Sequence, residues 1–291
     1  VFSLVEFEAA RPQLTATAFR LLGSIHDAED AVQSTWVKAS TADSVGLRNP
    51  AAWLTTVLTR VCLDQLRLVH RHREEPLLAD LLPAESVEAD EHYLRRENIS
   101  RALMVVLSVL TPTQRVAYVL HDLFDIPFRE VAEALGTTAD NAKKQASRAR
   151  RRIEQRGSSP AATVFDSAVV DAFIAASAGG DISRMLALMT DDCVRVADTA
   201  LIPLGTPTVI DGARAIAEET TMFAARIRAS TPMLVNGRPA YVIAPGGHIL
   251  AVVDVTTRDS QVARIDIMRF STKSKLAIPV DNVSTRNNQR S

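Results

Sequence analysis

A chain of 291 residues that is 47% hydrophobic is long and apolar enough for two or three packed domains, which excludes a wholly disordered protein. Its formal net charge of −1 excludes a uniformly basic coat for nucleic acid, yet it hides an asymmetry: between residues 137 and 154, Lys143, Lys144, Arg148, Arg150, Arg151 and Arg152 face only Asp140 and Glu154. No apolar run approaches the roughly 20 residues of a membrane span and no charged-then-apolar leader opens the chain, so a cytoplasmic location with no membrane partner is expected. The two cysteines, Cys62 and Cys193, lie far apart in apolar contexts. That predicts buried free thiols rather than a disulfide, and no metal or cofactor is expected.

Apolar residues recur at helical spacing from Leu4 to Leu22, and Gly23 stands where a glycine ends a helix. A second helix is predicted over His26–Ala39, with Ala28, Ala31, Val32, Thr35 and Trp36 on one side and Glu29, Asp30 and Gln33 on another. After a loop from Ser40 to Asn49, Pro50 opens a third helix, Ala51–His70, carrying Trp53, Arg60, Asp64 and Arg67 among leucines and valines. Trp36 and Trp53 suit helix packing without any ligand, and Asp64 with Arg60 or Arg67 suits an intrahelical ion pair.

Between Arg73 and Glu97 the helical pattern lapses, acids accumulate, and Pro76 and Pro83 interrupt, so the composition predicts a linker. Apolar spacing returns from Ile99 to Leu110. Thr111-Pro112-Thr113-Gln114 then supplies an N-cap, a first-turn proline and a capping glutamine for a helix from Pro112 to His121. A short helix, Phe128–Leu135, is followed by Gly136 and a basic helix with Thr137 as its N-cap. Ala142, Ala146, Ala149 and Ile153 form the inward stripe of that helix; Asn141, Lys144, Gln145, Arg148, Arg151 and Arg152 form the outward one. Helix, glycine turn and basic helix with Asn and Gln among its cations is the pattern of a helix-turn-helix entering a major groove. A solvated basic face on an ordinary helix pair is the plainer alternative.

Past Gly157-Ser-Ser-Pro160 the style changes. Helices are predicted at Val164–Ser177, Ile182–Met189 and Ala213–Ile227, and strands at Cys193–Ala197, Thr231–Val235, Ala240–Ala244, Ile249–Thr256 and Val262–Phe270, with turns at Asn236-Gly237 and Arg258-Asp-Ser260. Helices followed by an antiparallel meander imply an α+β domain with helices on one face of a curved sheet. Asp192, Arg195, Asp198, His248, Asp254 and Asp266 are the groups a hydrolase or cyclase would use if they converged, although strand-borne Asp and Arg are more often solvent-facing.

The blocks Asp27-Ala-Glu-Asp-Ala-Val-Gln33 with Trp36, and Asn49-Pro-Ala-Ala-Trp-Leu54 followed by Arg60, Asp64 and Arg67, together with the helix-turn-helix, resemble the extracytoplasmic-function sigma factors of bacterial RNA polymerase. The resemblance implies two all-α domains, region 2 at residues 1–73 and region 4 at 98–156, joined by an acidic linker at 74–97. It implies core RNA polymerase and promoter DNA as partners. Asp27, Asp30, Gln33 and Trp36 would bind core polymerase, and Arg48, Asn49, Trp53, Arg60 and Arg67 the melted minus-10 strand, which needs single-strand contacts and a pocket for an extruded base. At the minus-35 duplex Asn141, Lys144, Gln145 and Arg148 would reach bases or phosphates, and Lys143, Arg151 and Arg152 phosphates. The acidic linker is either a mimic of RNA in polymerase channels or a solvated spacer.

Residues 161–279 resemble the SnoaL-like branch of the NTF2-like fold, a cone whose mouth takes small molecules, with a polar tail at 280–291. In sigma factors of this kind the appendage tunes activity in cis, which implies contacts with regions 2 and 4 and leaves a small-molecule ligand of the cone open. No catalysis is expected of the chain. The competing readings are a one-component helix-turn-helix regulator with a ligand-sensing domain, for which the block Asp27–Trp36 has no use, and an enzyme in the C-terminal domain.

Overall fold

The computed structural model describes residues 3–42, 49–72, 84–153, 167–203, 205–271 and 274–279, and the chain divides into two compact units, the first ending at residue 154. The loop before Pro50 (except Asn49), the segment 73–83 and the tail beyond residue 279 lie outside the described residues.

The first unit is helical. Helices α1 (Leu4–Leu22), α2 (Ile25–Thr41) and α3 (Pro50–His72) pack on one another as their apolar stripes require. Gly23 ends α1 in the left-handed conformation at φ 87°, returning its N–H to the Phe19 carbonyl, and Ser24 caps α2 by accepting from the Asp27 N–H at 3.2 Å. Within the span expected to be linker, Ala84–Arg96 instead forms helix α4. Its acids masked an amphipathic pattern: Glu85 and Glu88 are exposed while Asp90, Tyr93 and Leu94 are buried, and the Tyr93 ring lies 4.6 Å from that of Phe19. Pro83 precedes α4 and so does not break it.

Helix α5 (Arg101–Ser108) leads to α6 (Pro112–Tyr118), where Thr111 and Gln114 form the expected reciprocal capping box. The predicted helix through His121 widens over Val119–Leu123 into a π-helical turn. The Leu120 carbonyl there accepts from Ile126 N–H at 2.9 Å, and the His121 carbonyl from Asp125 N–H at 3.1 Å. Helices α7 (Phe128–Leu135) and α8 (Ala139–Ile153) complete the unit. One continuous apolar core joins α1–α4 to α5–α8, from Phe7 and Phe19 through Leu58 and Leu120 to Ala146 and Ala149. Arg115, only 6% exposed, crosses within that core to donate from Nε to the Arg20 carbonyl at 3.0 Å, a cation at the C-terminal end of α1.

The second unit is α+β. Helices α9 (Ser167–Gly179) and α10 (Ile182–Leu188) precede β1 (Met189–Ala197), β2 (Val209–Asp211), α11 (Ala213–Met222), α12 (Ala224–Ile227), β3 (Ser230–Val235), β4 (Arg238–Ile243), β5 (Ala251–Arg258), β6 (Gln261–Met268) and β7 (Leu276–Ala277). The seven strands form one sheet in the order β2-β1-β6-β5-β4-β3-β7, so it is not closed into a barrel. The meander β3–β6 is antiparallel as expected, but β1 joins β6 in parallel. Asn236 and Gly237 turn the β3–β4 hairpin with φ of 53° and 81°, and Asp259 and Ser260 the β5–β6 hairpin with 52° and 57°, both of the mirror-image turn kind that suits strand twist. Helix Ala213–Ile227 is split at Phe223, which is non-helical. Strands β2 and β7, three and two residues in length, are too short for a period to register. Cys62 and Cys193 are both buried and unpaired.

Candidate nucleic-acid interface

The helix-turn-helix is built by α7, Gly136 and α8. Gly136 adopts φ 65°, and the Ala132 carbonyl accepts from Thr137 N–H at 2.9 Å, which stops α7 and turns the chain. The cap of α8 is Thr138, whose hydroxyl accepts from Asn141 N–H at 3.2 Å, rather than Thr137. Thr137 sits one residue earlier and accepts from the Asn141 side-chain amide at 2.8 Å, which fixes the orientation of that amide. Ala142, Ala146 and Ala149 are fully buried, and these small residues bring α8 close to α6 and α7.

The outward face carries Asn141, Lys143, Lys144, Arg148, Arg151 and Arg152, all exposed, with Gln145 half-buried. Gln145 Nε2 lies 3.4 Å from Asn141 Oδ1, so Thr137, Asn141 and Gln145 form one hydrogen-bonded row along the helix. Two of the six cations of this helix serve the fold as well. Arg150 pairs with Asp122 at 2.5 Å, tying α8 to the π-helical turn. Arg152 Nη1 reaches the Val109 carbonyl at 3.4 Å and Gln114 Oε1 at 3.3 Å, anchoring the end of α8 on the start of α6. Both partners are distant in sequence, and no local pattern announces them. Lys144, Arg148 and Arg151 stand on the open face with Asn141, a spacing of three, four and three residues that keeps them on one side. Bidentate cations and amides so placed can read guanine and adenine edges.

On α2, Asp27, Asp30 and Gln33 are exposed and near one another at spacings of three. Trp36 is half-buried, its ring 4.9 Å from Phe7, so it packs on the core as the plainer reading had it. Val37, 58% exposed, extends the acidic row by one turn; sequence reasoning passed over it, although its spacing from Asp27, Asp30 and Ser34 would have found it. Trp53, Arg60 and Arg67 recur every seven residues along α3. Trp53 packs against the core, Arg67 pairs with Asp64 at 3.5 Å, and Arg60 donates to the Glu133 carbonyl at 2.9 Å. Asn49 caps α3, its Oδ1 accepting from Ala52 N–H at 3.1 Å. Arg48 lies outside the described residues.

Asp254 and Asp266 stand opposite each other across β5 and β6, but the candidate enzymatic groups of the second unit do not converge on one pocket. Asp192 pairs with Arg258, Asp198 with Arg269, Asp254 with Arg238 and Asp266 with Arg264, each in an ion pair whose arginine is exposed. The Ala200 N–H, and after it the Arg269 guanidinium, hold the Asp198 carboxyl below the usual carboxylate range. Of the named groups only Arg195 lines the cavity under α9, where it pairs with Glu219.

A model of sigma-70 region 2 matches residues 7–72, and one of sigma-70 region 4 matches residues 100–153. The ECF RNA polymerase sigma factor SigJ of Mycobacterium tuberculosis is 40% identical over 207 residues, which are 67% of this chain and 64% of that protein. A probable ECF RNA polymerase sigma factor of the same species, SigI, is 30% identical over 195 residues, 63% of this chain and 65% of that protein. The chain thus spans just under two thirds of the length of these curated relatives. The crystal structure of M. tuberculosis SigJ aligns with 32% identity over 93% of this chain and 97% of that one, at a TM-score of 0.46. Residues 7–72 and 100–153 thus carry sigma-70 regions 2 and 4 in this order, and the chain is similar to the extracytoplasmic-function sigma factors.

Proposed function

We propose that the chain directs core RNA polymerase to promoter DNA, with residues 1–73 as the core-binding and minus-10 domain and 98–156 as the minus-35 domain. The observation that carries this reading is the open row of Asn141, Lys144, Arg148 and Arg151 on a capped, core-anchored second helix of a helix-turn-helix. Asn141, Lys144, Gln145 and Arg148 read the minus-35 duplex; Lys143, Arg151 and the free hydrogens of Arg152 hold phosphates. Asp27, Asp30, Gln33 and the neighbouring Val37 offer core polymerase an acidic, partly apolar strip, with Trp36 fixing α2 from behind. Arg48, Asn49, Trp53, Arg60 and Arg67 serve the melted minus-10 strand. The C-terminal unit, residues 161–279, modulates this activity in cis, and the chain works in the cytoplasm.

The test is transcription from a cognate promoter by purified core polymerase, comparing full-length protein with chains truncated after Arg156 and after Pro279. Failure of every form to bind core and start transcripts defeats the reading. Unchanged activity on truncation defeats the regulatory role alone. A one-component regulator would need an operator and no core polymerase, and the exposed strip Asp27–Val37 gives it nothing to do.

A further inference from the structure

An asparagine side chain reads adenine by a two-point contact, its amide nitrogen donating to N7 and its carbonyl accepting from the N6 amino group. A side chain that turns freely in solvent presents that edge only part of the time and must be ordered when DNA arrives. Ordering it beforehand lowers the cost of binding and sharpens the choice of base.

Asn141 stands exposed on the open face of α8, yet its amide is held at both ends. Nδ2 donates to the Thr137 hydroxyl at 2.8 Å, one turn toward the start of the helix, while Oδ1 accepts from Gln145 Nε2 at 3.4 Å, one turn toward its end. Donor and acceptor are therefore kept in a fixed order along the helix. A primary amide carries two hydrogens and two carbonyl lone pairs, so these bonds leave one of each. That remainder is what N7 and N6 of adenine require. Guanine would set its O6 acceptor against the held carbonyl, and a pyrimidine has no N7 to complete the pair.

The Thr137 hydroxyl is not spent on building the turn. Thr138 makes the capping bond of α8, accepting from the Asn141 N–H at 3.2 Å, and Thr137 serves the turn through its backbone N–H, which donates to the Ala132 carbonyl at 2.9 Å. We infer that Thr137 is a positioning residue for promoter reading, whose hydroxyl, together with Gln145, holds the Asn141 amide in the orientation that selects adenine at one minus-35 position. The inference rests on the proposed base-reading role of Asn141 and extends it to a residue outside the contact set.

The test uses holoenzyme assembled from the full-length chain and purified core polymerase. Duplexes are selected from a pool randomised over the minus-35 element, and binding is then titrated on the selected duplex, its single-base variants and a scrambled duplex. The parent is expected to prefer adenine at one position by about tenfold, and Asn141→Ala to lose that preference. Thr137→Val is expected to cut the same preference to about threefold, with the parent's melting temperature and the parent's affinity for the scrambled duplex. Thr137→Ser, which keeps the hydroxyl, should retain the full preference, and Thr137→Ala is read like the valine variant where valine does not fold. An Asn141→Ala variant with the parent's preference at every position would remove the base-reading role and the inference with it. Loss of the preference in Asn141→Ala but not in Thr137→Val, a Thr137→Val loss equal on selected and scrambled duplexes, or a Thr137→Ser variant that behaves like the valine one would each overturn the positioning role alone.

Discussion

Arg60 of α3 donates from Nη2 to the Glu133 carbonyl oxygen in the last turn of α7, 2.9 Å away and 73 residues further along the chain. A cation there meets the negative end of the α7 dipole and satisfies one of its terminal carbonyls. The same arginine belongs to the set proposed for the minus-10 strand, so holding the helix-turn-helix against α3 and contacting melted DNA compete for one side chain. Arg60→Ala is expected to lower the stability of the free protein by about 1 kcal/mol, the worth of one such hydrogen bond on an exposed side chain. Urea unfolding checks this. An unchanged midpoint would mean that the core shared by α3 and α7 carries that contact without Arg60.

Arg148 and Arg151 point the same way from α8 but are assigned different work. Arg148→Ala is expected to weaken minus-35 binding by about 1–3 kcal/mol and to relax preference at one base position. Arg151→Ala should weaken all sequences alike and lower the slope of log K against log salt by about one. Binding titrations on a cognate and a scrambled duplex at several salt concentrations separate the two. Equal losses on both duplexes for Arg148→Ala would move it to the phosphate set.

Much of this interface was legible because it rests on short-range rules. The inward alanines of α8, the Thr111–Gln114 box and the Asn236-Gly237 turn are set by neighbours within four residues, and each appears where the pattern placed it. What escaped depends on distant partners. Nothing near Asp90 in sequence says that its carboxylate will accept from the Ile25 N–H, and in a stretch crowded with acids the helix α4 read as linker. The shift of the α8 cap from Thr137 to Thr138 is the same lesson at small scale, since both threonines fit the rule and Asn141 uses both, its backbone N–H donating to Thr138 and its side-chain amide to Thr137. Arg150 and Arg152 looked like part of a solvated basic face until Asp122 and Gln114 were brought to them by the fold.

Asp90 makes a pH-dependent prediction. Its carboxylate is 4% exposed, and burial pushes its pKa up to about 6 although the Ile25 N–H and His26 pull it down. Because the folded value lies above the unfolded one, the stability linked to Asp90 is fully present below pH 4 and is lost as pH rises through about 6. Asp90→Asn keeps an acceptor for Ile25 and removes the charge. It is expected to be more stable than the parent at pH 7, by about 1 kcal/mol, with the difference shrinking toward zero below pH 4. Denaturation at a series of pH values reads this directly; a variant less stable at pH 7 would show that the charged form of the Ile25 contact outweighs desolvation.

Glu219 is expected to be the most sensitive single position of the second unit. Its side chain is 11% exposed and that of Arg195 is 3% exposed, so the pair is shielded from solvent on both sides. Glu219→Ala leaves a buried guanidinium with its two carbonyl partners but no counter-charge, a change that typically costs about 3–5 kcal/mol. Replacing both partners by apolar residues of similar volume, Arg195→Met with Glu219→Leu, removes the stranded charge and should recover most of that loss, though the Pro207 and Thr208 carbonyls lose their donor. Urea unfolding followed by the methyl NMR signals of Val253 and Ile265 reports on this unit, because both residues lie in its sheet. A single variant that unfolds at the parental midpoint would mean that Arg195 finds solvent when its partner is gone.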